Sequence, residues 1–233
     1  MRTIKKVASH IFIDGFGGMT QGLFATLIIG TMIQQIGLLI GGSTGNVIYL
    51  LGKAAAALTS AGIGVGVAVK YGESPLVTVS AAVAAMVGGY AGKITGGTFF
   101  VDGNAVLAGP GEPLGAFIAA FAGITCGHLV SGKTKVDIIV TPVITIGAGS
   151  VVGLLVGPPI SQMMTGLGSI INWATEQRPF IMGIVVSVVM GMVLTLPISS
   201  AALGIILNLS GLAAGAATIG CCCNMVGFAV ASY

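Results

Sequence analysis

Charge is what this chain lacks most. Its 9 Lys or Arg and 6 Asp or Glu amount to 6% of 233 residues, where a soluble domain carries about 25%. So few charged side chains cannot cover a soluble fold of this length. The low charge also excludes a disordered polar chain. A net excess of only +3, thinly spread, excludes a nucleic-acid-binding surface. Aromatics are scarce at 6%, and the 4 cysteines form no disulfide framework, because Cys221, Cys222 and Cys223 are consecutive. What is abundant is apolar: 55% of residues, a mean hydropathy of +1.06, and 39 glycines. The medium for such a sequence is lipid.

A spanning helix needs about 20 mainly apolar residues, since hydrocarbon is about 30 Å thick and each residue rises 1.5 Å. Runs of this kind cover Thr20–Ile40, Asn46–Val69, Pro75–Gly92, Leu114–Val130, Ile138–Val156, Phe180–Leu196 and Ile198–Ala213. An eighth starts at Ala214 and is still apolar at Tyr233. These runs are too long and continuous for alternating barrel strands. The fold class expected is therefore all-α, a polytopic transmembrane helical bundle of about 7–8 spans. Residues 1–233 read as a single integral membrane domain, with 1–19 as an N-terminal interfacial segment. A cytoplasmic N-terminus puts Arg2, Lys5, Lys6, Lys70, Lys133 and Lys135 inside and only Lys93 and Arg178 outside, the positive-inside bias.

Glycines recur every fourth residue at Gly37/Gly41/Gly45, Gly88/Gly92/Gly96 and Gly149/Gly153/Gly157, and once each at Gly62/Gly66, Gly123/Gly127 and Gly211/Gly215. Such stripes let helix backbones approach closely. Two connections stand apart. Residues 93–113 are too polar for a span and too apolar for a plain loop, which fits a re-entrant or broken-helix segment lining a cavity. Pro158–Arg178 opens on a Pro pair and reads as an amphipathic surface segment.

Gly127-His-Leu-Val-Ser-Gly-Lys-Thr134 matches the phosphate-loop pattern, but an apolar helix precedes it where a strand is required, so it reads as a loop. Adjacent cysteines point about 100° apart on a helix and do not converge on a metal. His10 and His128 have no partner in sequence and read as interfacial polar tips. Asp137 beside Lys133 and Lys135 reads as a cytoplasmic ion pair. No cofactor and no catalytic constellation is indicated.

The informative polar groups are Lys53, Asp102, Asn104 and Glu112, which fall at membrane depth. A charge there costs at least about 2.5–3.5 kcal/mol on insertion scales and so faces a cavity or a partner. Glu112 lies between Pro110-Gly111 and Pro113, where a helix begins, and reads either as an N-terminal cap or as an acceptor for ligand hydroxyls.

Four stretches carry a resemblance: Gly109-Pro-Gly-Glu-Pro-Leu-Gly-Ala-Phe117, Gly132-Lys-Thr-Lys-Val-Asp-Ile-Ile-Val-Thr-Pro142, Leu196-Pro-Ile-Ser-Ser-Ala-Ala202 and Met225-Val-Gly-Phe-Ala-Val-Ala-Ser-Tyr233. They resemble the membrane-embedded IIC component of bacterial phosphotransferase-system sugar transporters, in the branch that includes a toxin-gene regulator. The resemblance implies a homodimer in the cell membrane that binds a sugar and moves it by an elevator-like shift, with phosphate supplied by separate IIA and IIB subunits. It implies a transporter subunit and no enzyme. It assigns Glu112 the sugar-binding role, with Asp102, Asn104 and Lys53 as lesser candidates. The relatives resembled continue past the position of Tyr233, so a C-terminally truncated chain is expected. The alternative function is a membrane sensor or regulator that keeps the fold and transports nothing; a third is a ligand-binding subunit driven by a separate ATPase.

Overall fold

The computed structural model describes residues 14–101, 104–105, 109, 111–193, 207 and 209–231. The expected N-terminal interfacial segment up to residue 13, most of the run Ile198–Ala213, and Asp102 lie outside the described residues.

The chain forms the expected all-α membrane bundle. Among the described residues three helices are long and apolar enough to cross a membrane, four if a pair bent at a short break counts as one span, and three shorter apolar helices accompany them. In order these are α1 (Phe16–Ile40), the bent pair α2 (Gly42–Ala57) and α3 (Thr59–Lys70), α4 (Pro75–Gly89), the short α5 (Ala91–Thr95), α6 (Pro113–Val130), α7 (Asp137–Gln177), α8 (Pro179–Val193) and α9 (Gly211–Ala231). Between α5 and α6 a two-residue antiparallel ladder, β1 (Phe100–Val101) with β2 (Asn104–Ala105), closes a small hairpin. The chain divides into two compact units, residues 1–161 and 162–233.

In the first unit α1 runs against α2 and α3 with almost no side chain between the backbones. A Cβ at Gly18 would stand 2.6 Å from the Gly66 carbonyl oxygen, and one at Gly22 would strike the Gly62 carbonyl. The Gly62/Gly66 stripe is thus an interface, and Gly123/Gly127 and Gly149/Gly153/Gly157 are too. A Cβ at Gly149 would stand 2.7 Å from the Ala119 carbonyl, and one at Gly153 2.8 Å from the Gly88 Cα. Lipid gives helices no hydrophobic reason to associate, so backbone proximity and dispersion do the work. The core is accordingly rich in Ala: Ala81, Ala84, Ala85, Ala116, Ala119 and Ala120 are all buried.

Three stripes differ from expectation. Gly88 packs on Gly115, but α4 ends at Gly89 and Gly92 has no neighbour within 4 Å of a would-be Cβ. Gly41 is not on a helix face; with φ +64 it makes the turn between α1 and α2, and Gly37 and Gly45 meet across that turn. Gly211, φ +53, starts α9, and neither it nor Gly215 has a neighbour within 4 Å of a would-be Cβ.

The run Asn46–Val69 is also not one straight span. It breaks at Leu58 and bends by 52°. The cause is local. The Thr59 hydroxyl donates to the Ala56 carbonyl at 2.6 Å, and the Ala57 carbonyl receives the Tyr90 hydroxyl at 3.3 Å. Hydroxyls that compete for helix carbonyls bend helices. Conversely, Pro158–Arg178 is no separate surface segment, because α7 continues through Pro158 and Pro159 to Gln177. A proline keeps a helical φ and loses one hydrogen bond, so a helix can continue through it at a cost. The boundary between the two units falls just past this pair.

The connections 70–75 and 131–136 meet at one end of the first unit. His128 Nδ1 lies 3.0 Å from the Glu73 carboxylate, and the Ser74 and Ser131 hydroxyls are 3.0 Å apart. His128 therefore has a partner that sequence order hid. Asp137 accepts the Gly132 amide at 2.9 Å and the Thr141 hydroxyl at 2.6 Å, bonds not foreseen when it was read as a lysine partner. Tyr71, in the same connection as Glu73, has its phenol pushed up to about 12 by burial and, secondly, by the charge of Asp14. In the second unit α8 and α9 pack through Val186, Met190 and Ala217. Side chains also cross between these helices: the Ser187 hydroxyl to the Ala216 carbonyl (2.7 Å), the Asn224 amide to the Gly191 carbonyl (2.8 Å) and, more weakly, the Cys221 thiol to the Met190 carbonyl (3.9 Å).

Candidate functional site

The end of α4 is where the first unit stops behaving as a plain bundle. At 15 residues α4 is about 22 Å long, short of the ~30 Å of hydrocarbon. Ser74 caps its start at the end where the 70–75 connection lies, accepting the Val77 amide at 3.4 Å. The other end, Gly89, is reached within bilayer depth. Tyr90 follows, 1% exposed, and the chain then turns away through α5 and the β1–β2 hairpin before returning at Gly111.

The return is fixed by backbone. The Glu112 amide donates to the Gly89 carbonyl at 2.7 Å, and Glu112 is then the N-cap residue of α6, whose first residue is Pro113. A proline there is well placed, since its missing N–H would have had no helical partner. Gly111 is required twice: φ is +74, and a Cβ would collide with the Ser60 hydroxyl. Ser60, fully buried in the first turn of α3, sits equally close to Gly89. The Tyr90 hydroxyl reaches both the Ala57 carbonyl at the Leu58 break and the Gly109 carbonyl in the returning strand of chain. Its ring packs on Phe99 at 5.5 Å between centroids, and Lys93 Nζ stands 5.3 Å above it, a cation–π distance. The break in the α2–α3 span, the end of α4 and the start of α6 thus form one junction.

Glu112 is the chemically open group there. Its Oε1 is buried with no hydrogen-bond partner, while the Leu114 amide in the first turn of α6 bonds the carboxyl. Leaving a buried acceptor unsatisfied costs about 1–3 kcal/mol, more if it is charged. A hydroxyl donor brought to this oxygen recovers that cost.

The other sequence candidates are placed less closely. Asn104 lies in β2, on the same connection, paired with Val101. Asp102 is outside the described residues. Lys53 is exposed on α2, one helical turn before Ala57, and is not brought to Glu112 by any described contact. Tyr90 and Ser60 were missed, because a single Tyr or Ser in an apolar run reads as packing. The signal available was the Thr59-Ser60 pair inside a span together with the Tyr just past the Gly88-Gly89 pair.

Elsewhere the chemistry is thinner. A groove of about 520 Å³ between α8 and α9, lined by Phe180, Ile184, Leu212 and Ile219 among others, is apolar. Its two hydroxyls, Thr175 and Ser187, are spent on the Ile171 and Ala216 carbonyls. The phosphate-loop pattern sits on the last turn of α6 and a turn at Gly132, with a helix where a nucleotide site needs a strand. Cys221 approaches the Met190 carbonyl while Cys222 and Cys223 are exposed, so the three diverge. Among the described residues no three His, Cys, Asp or Glu side chains converge for a metal.

No curated protein and no solved structure matches the chain significantly. A match does exist at the level of a family, the one described as phosphotransferase system, EIIC, and it takes in residues 13–233 with the whole of the junction just described. Helices, junction and match together establish a multi-pass membrane component of a phosphotransferase system: the chain belongs to the EIIC family.

Proposed function

We propose that this component is a sugar-translocating permease subunit, and that the sugar binds at the junction of α3, α4 and α6 with Glu112 as its main anchor. The observation that carries the reading is the Glu112 carboxyl oxygen, buried and unpartnered where two helices break or end. Sugar hydroxyls are the donors such an oxygen lacks, and broken helices at depth are where carriers place their substrates. Asn104 and Asp102 belong to the same connection and are further candidates. Lys53, the fourth candidate, lies on α2 at the turn before the α2–α3 break. The whole chain acts as one integral membrane domain with its N-terminus in the cytoplasm, as a homodimer in lipid. Phosphoryl transfer is the work of separate IIA and IIB subunits, and this chain supplies the binding site and the path.

The test is calorimetric titration of a panel of hexoses into the detergent-purified protein and its Glu112→Gln variant, followed by uptake into proteoliposomes. The expected result is binding of one class of sugar, weakened at least tenfold by the substitution, in line with a lost charge-assisted hydrogen bond. Unchanged affinity for a confirmed sugar would remove Glu112 from the site. Binding without flux in the presence of IIA and IIB would favour the sensor alternative.

A further inference from the structure

A single hydroxyl stands between the two irregular stretches of the first unit. Tyr90 is fully buried, and its oxygen lies within hydrogen-bond reach of two carbonyls that no helix satisfies: Ala57, at the break between α2 and α3, and Gly109, three residues before Glu112. A phenol has one proton to donate. Gly109, the nearer carbonyl, is the main acceptor and Ala57, at 3.3 Å, the secondary one, so a displacement of either changes how the proton is divided. The surroundings restrict the oxygen to this spot. The ring is held by Phe99 and by Lys93 above it. The Ser60 hydroxyl, wedged against Gly89 and Gly111, leaves the first turn of α3 no slack against the returning chain.

We propose that Tyr90 is a positioning residue that couples the bend of the α2–α3 span to the placement of Glu112. This rests on the reading of Glu112 as the sugar anchor, but the coupling itself is a property of the fold. Straightening the span at Leu58 draws the secondary acceptor, the Ala57 carbonyl, away and lets the phenol settle wholly on Gly109, so the geometry of the break and of the site change together. Two hydrogen bonds report the two sides independently. The Glu112 amide bonds the Gly89 carbonyl at 2.7 Å, and the Gly62 amide bonds the Leu58 carbonyl at 2.9 Å.

The experiment is hydrogen–deuterium exchange on the full chain in nanodiscs, wild type against Tyr90→Phe, with sugar affinity measured in parallel. Phenylalanine keeps the ring and its packing and removes only the shared proton. Exchange at both amides, Gly62 and Glu112, is expected to rise roughly tenfold, the worth of one hydrogen bond, while amides in the middle of α6 are unchanged. Affinity for the sugar falls by a similar factor, less than in Glu112→Gln. A rise on one side only, or on neither, overturns the coupling whether or not sugar binds. Wild-type protein that binds no sugar but shows the paired rise sinks the functional reading and keeps the coupling. A general rise throughout α6 would mark Tyr90 as merely structural and overturn the proposal; the same measurement on Phe99→Leu, which loosens the ring without removing the proton, supplies the pattern for that outcome.

Discussion

The two units of this chain use glycine and polar side chains in different proportions. In the first, glycine is the contact itself: Gly18 meets Gly66, Gly22 meets Gly62, and Gly88 meets Gly115, each through backbone atoms. In the second, Gly183, Gly215 and Gly227 have open space where a Cβ would go, while Gly220 packs on the Ser187 backbone where α8 and α9 cross. Side chains add to that contact: Ser187 and Asn224 each donate to a carbonyl of the partner helix. The same residue at the same spacing therefore has two meanings. Close approach needs a run of small residues on both partners; a stripe facing Ala or Gly packs, and a stripe facing nothing is a groove.

The largest expected effect tests this directly. Gly18→Leu would push a side chain into the Gly66 carbonyl and the Val67 Cα, both backbone atoms that no rotamer change can clear. Overpacking of this kind costs about 1–3 kcal/mol and more where helices must separate. Gly215→Leu, mid-helix in α9 with open space around it, should stay within about 0.5 kcal/mol or gain slightly from helix propensity. Thermal unfolding in one detergent, followed by circular dichroism, compares them. Equal shifts in Tm for the two variants would abolish the distinction between a glycine in contact and one in open space.

The next effect reverses the roles. Asn224→Leu removes the 2.8 Å bond to Gly191 and should cost the second unit about 0.6–1.7 kcal/mol, the measured span for interhelical hydrogen bonds in membranes. In the first unit Thr26 donates to Gly22, a carbonyl of its own helix, at 2.7 Å. Thr26→Val keeps the shape that packs on Gly62 and loses only that internal bond, so it should cost less than about 0.5 kcal/mol. A Thr26→Val cost equal to that of Asn224→Leu would show that polar bonds hold both units alike.

Much of this was legible in the sequence, and what was not has a physical cause. Apolar runs located α1, α4, α6 and the first half of α7, because the bilayer fixes span length. Glu112 stood out because Pro110, Gly111 and Pro113 force irregular backbone around it. The break at Leu58 was hidden, since it depends on Tyr90 reaching Ala57 from 33 residues away. The continuation of α7 past Pro158 was hidden too, because a proline pair is a statistical stop and only a local cost. Neither could sequence pair His128 with Glu73, which are 55 residues apart.

The smallest effects lie at the end of the first unit where its connections meet, and they test whether that end owes anything to charge. His128 is 71% exposed, so its pair with Glu73 is worth about 0–1 kcal/mol after screening. His128→Gln should move Tm little, and the difference should vanish in high salt. A large, salt-independent loss would make electrostatics a partner of glycine packing there. Tyr71 gives a finer probe, through pH. Its phenol ionises near 12 in the folded chain against an ordinary value of 10.0. Below about pH 10 neither state loses the proton, and the Tyr71 contribution is fully present. Between about 10 and 12 the unfolded chain releases a proton that the folded chain keeps, so stability falls as pH rises. Tyr71→Phe should remove that part of the alkaline slope and leave the curve below pH 10 parallel to wild type. If the two slopes between pH 10 and 12 coincide, the burial of Tyr71 is not holding its proton, and packing of α1 on the 70–75 connection is looser than the glycine contacts beside it require.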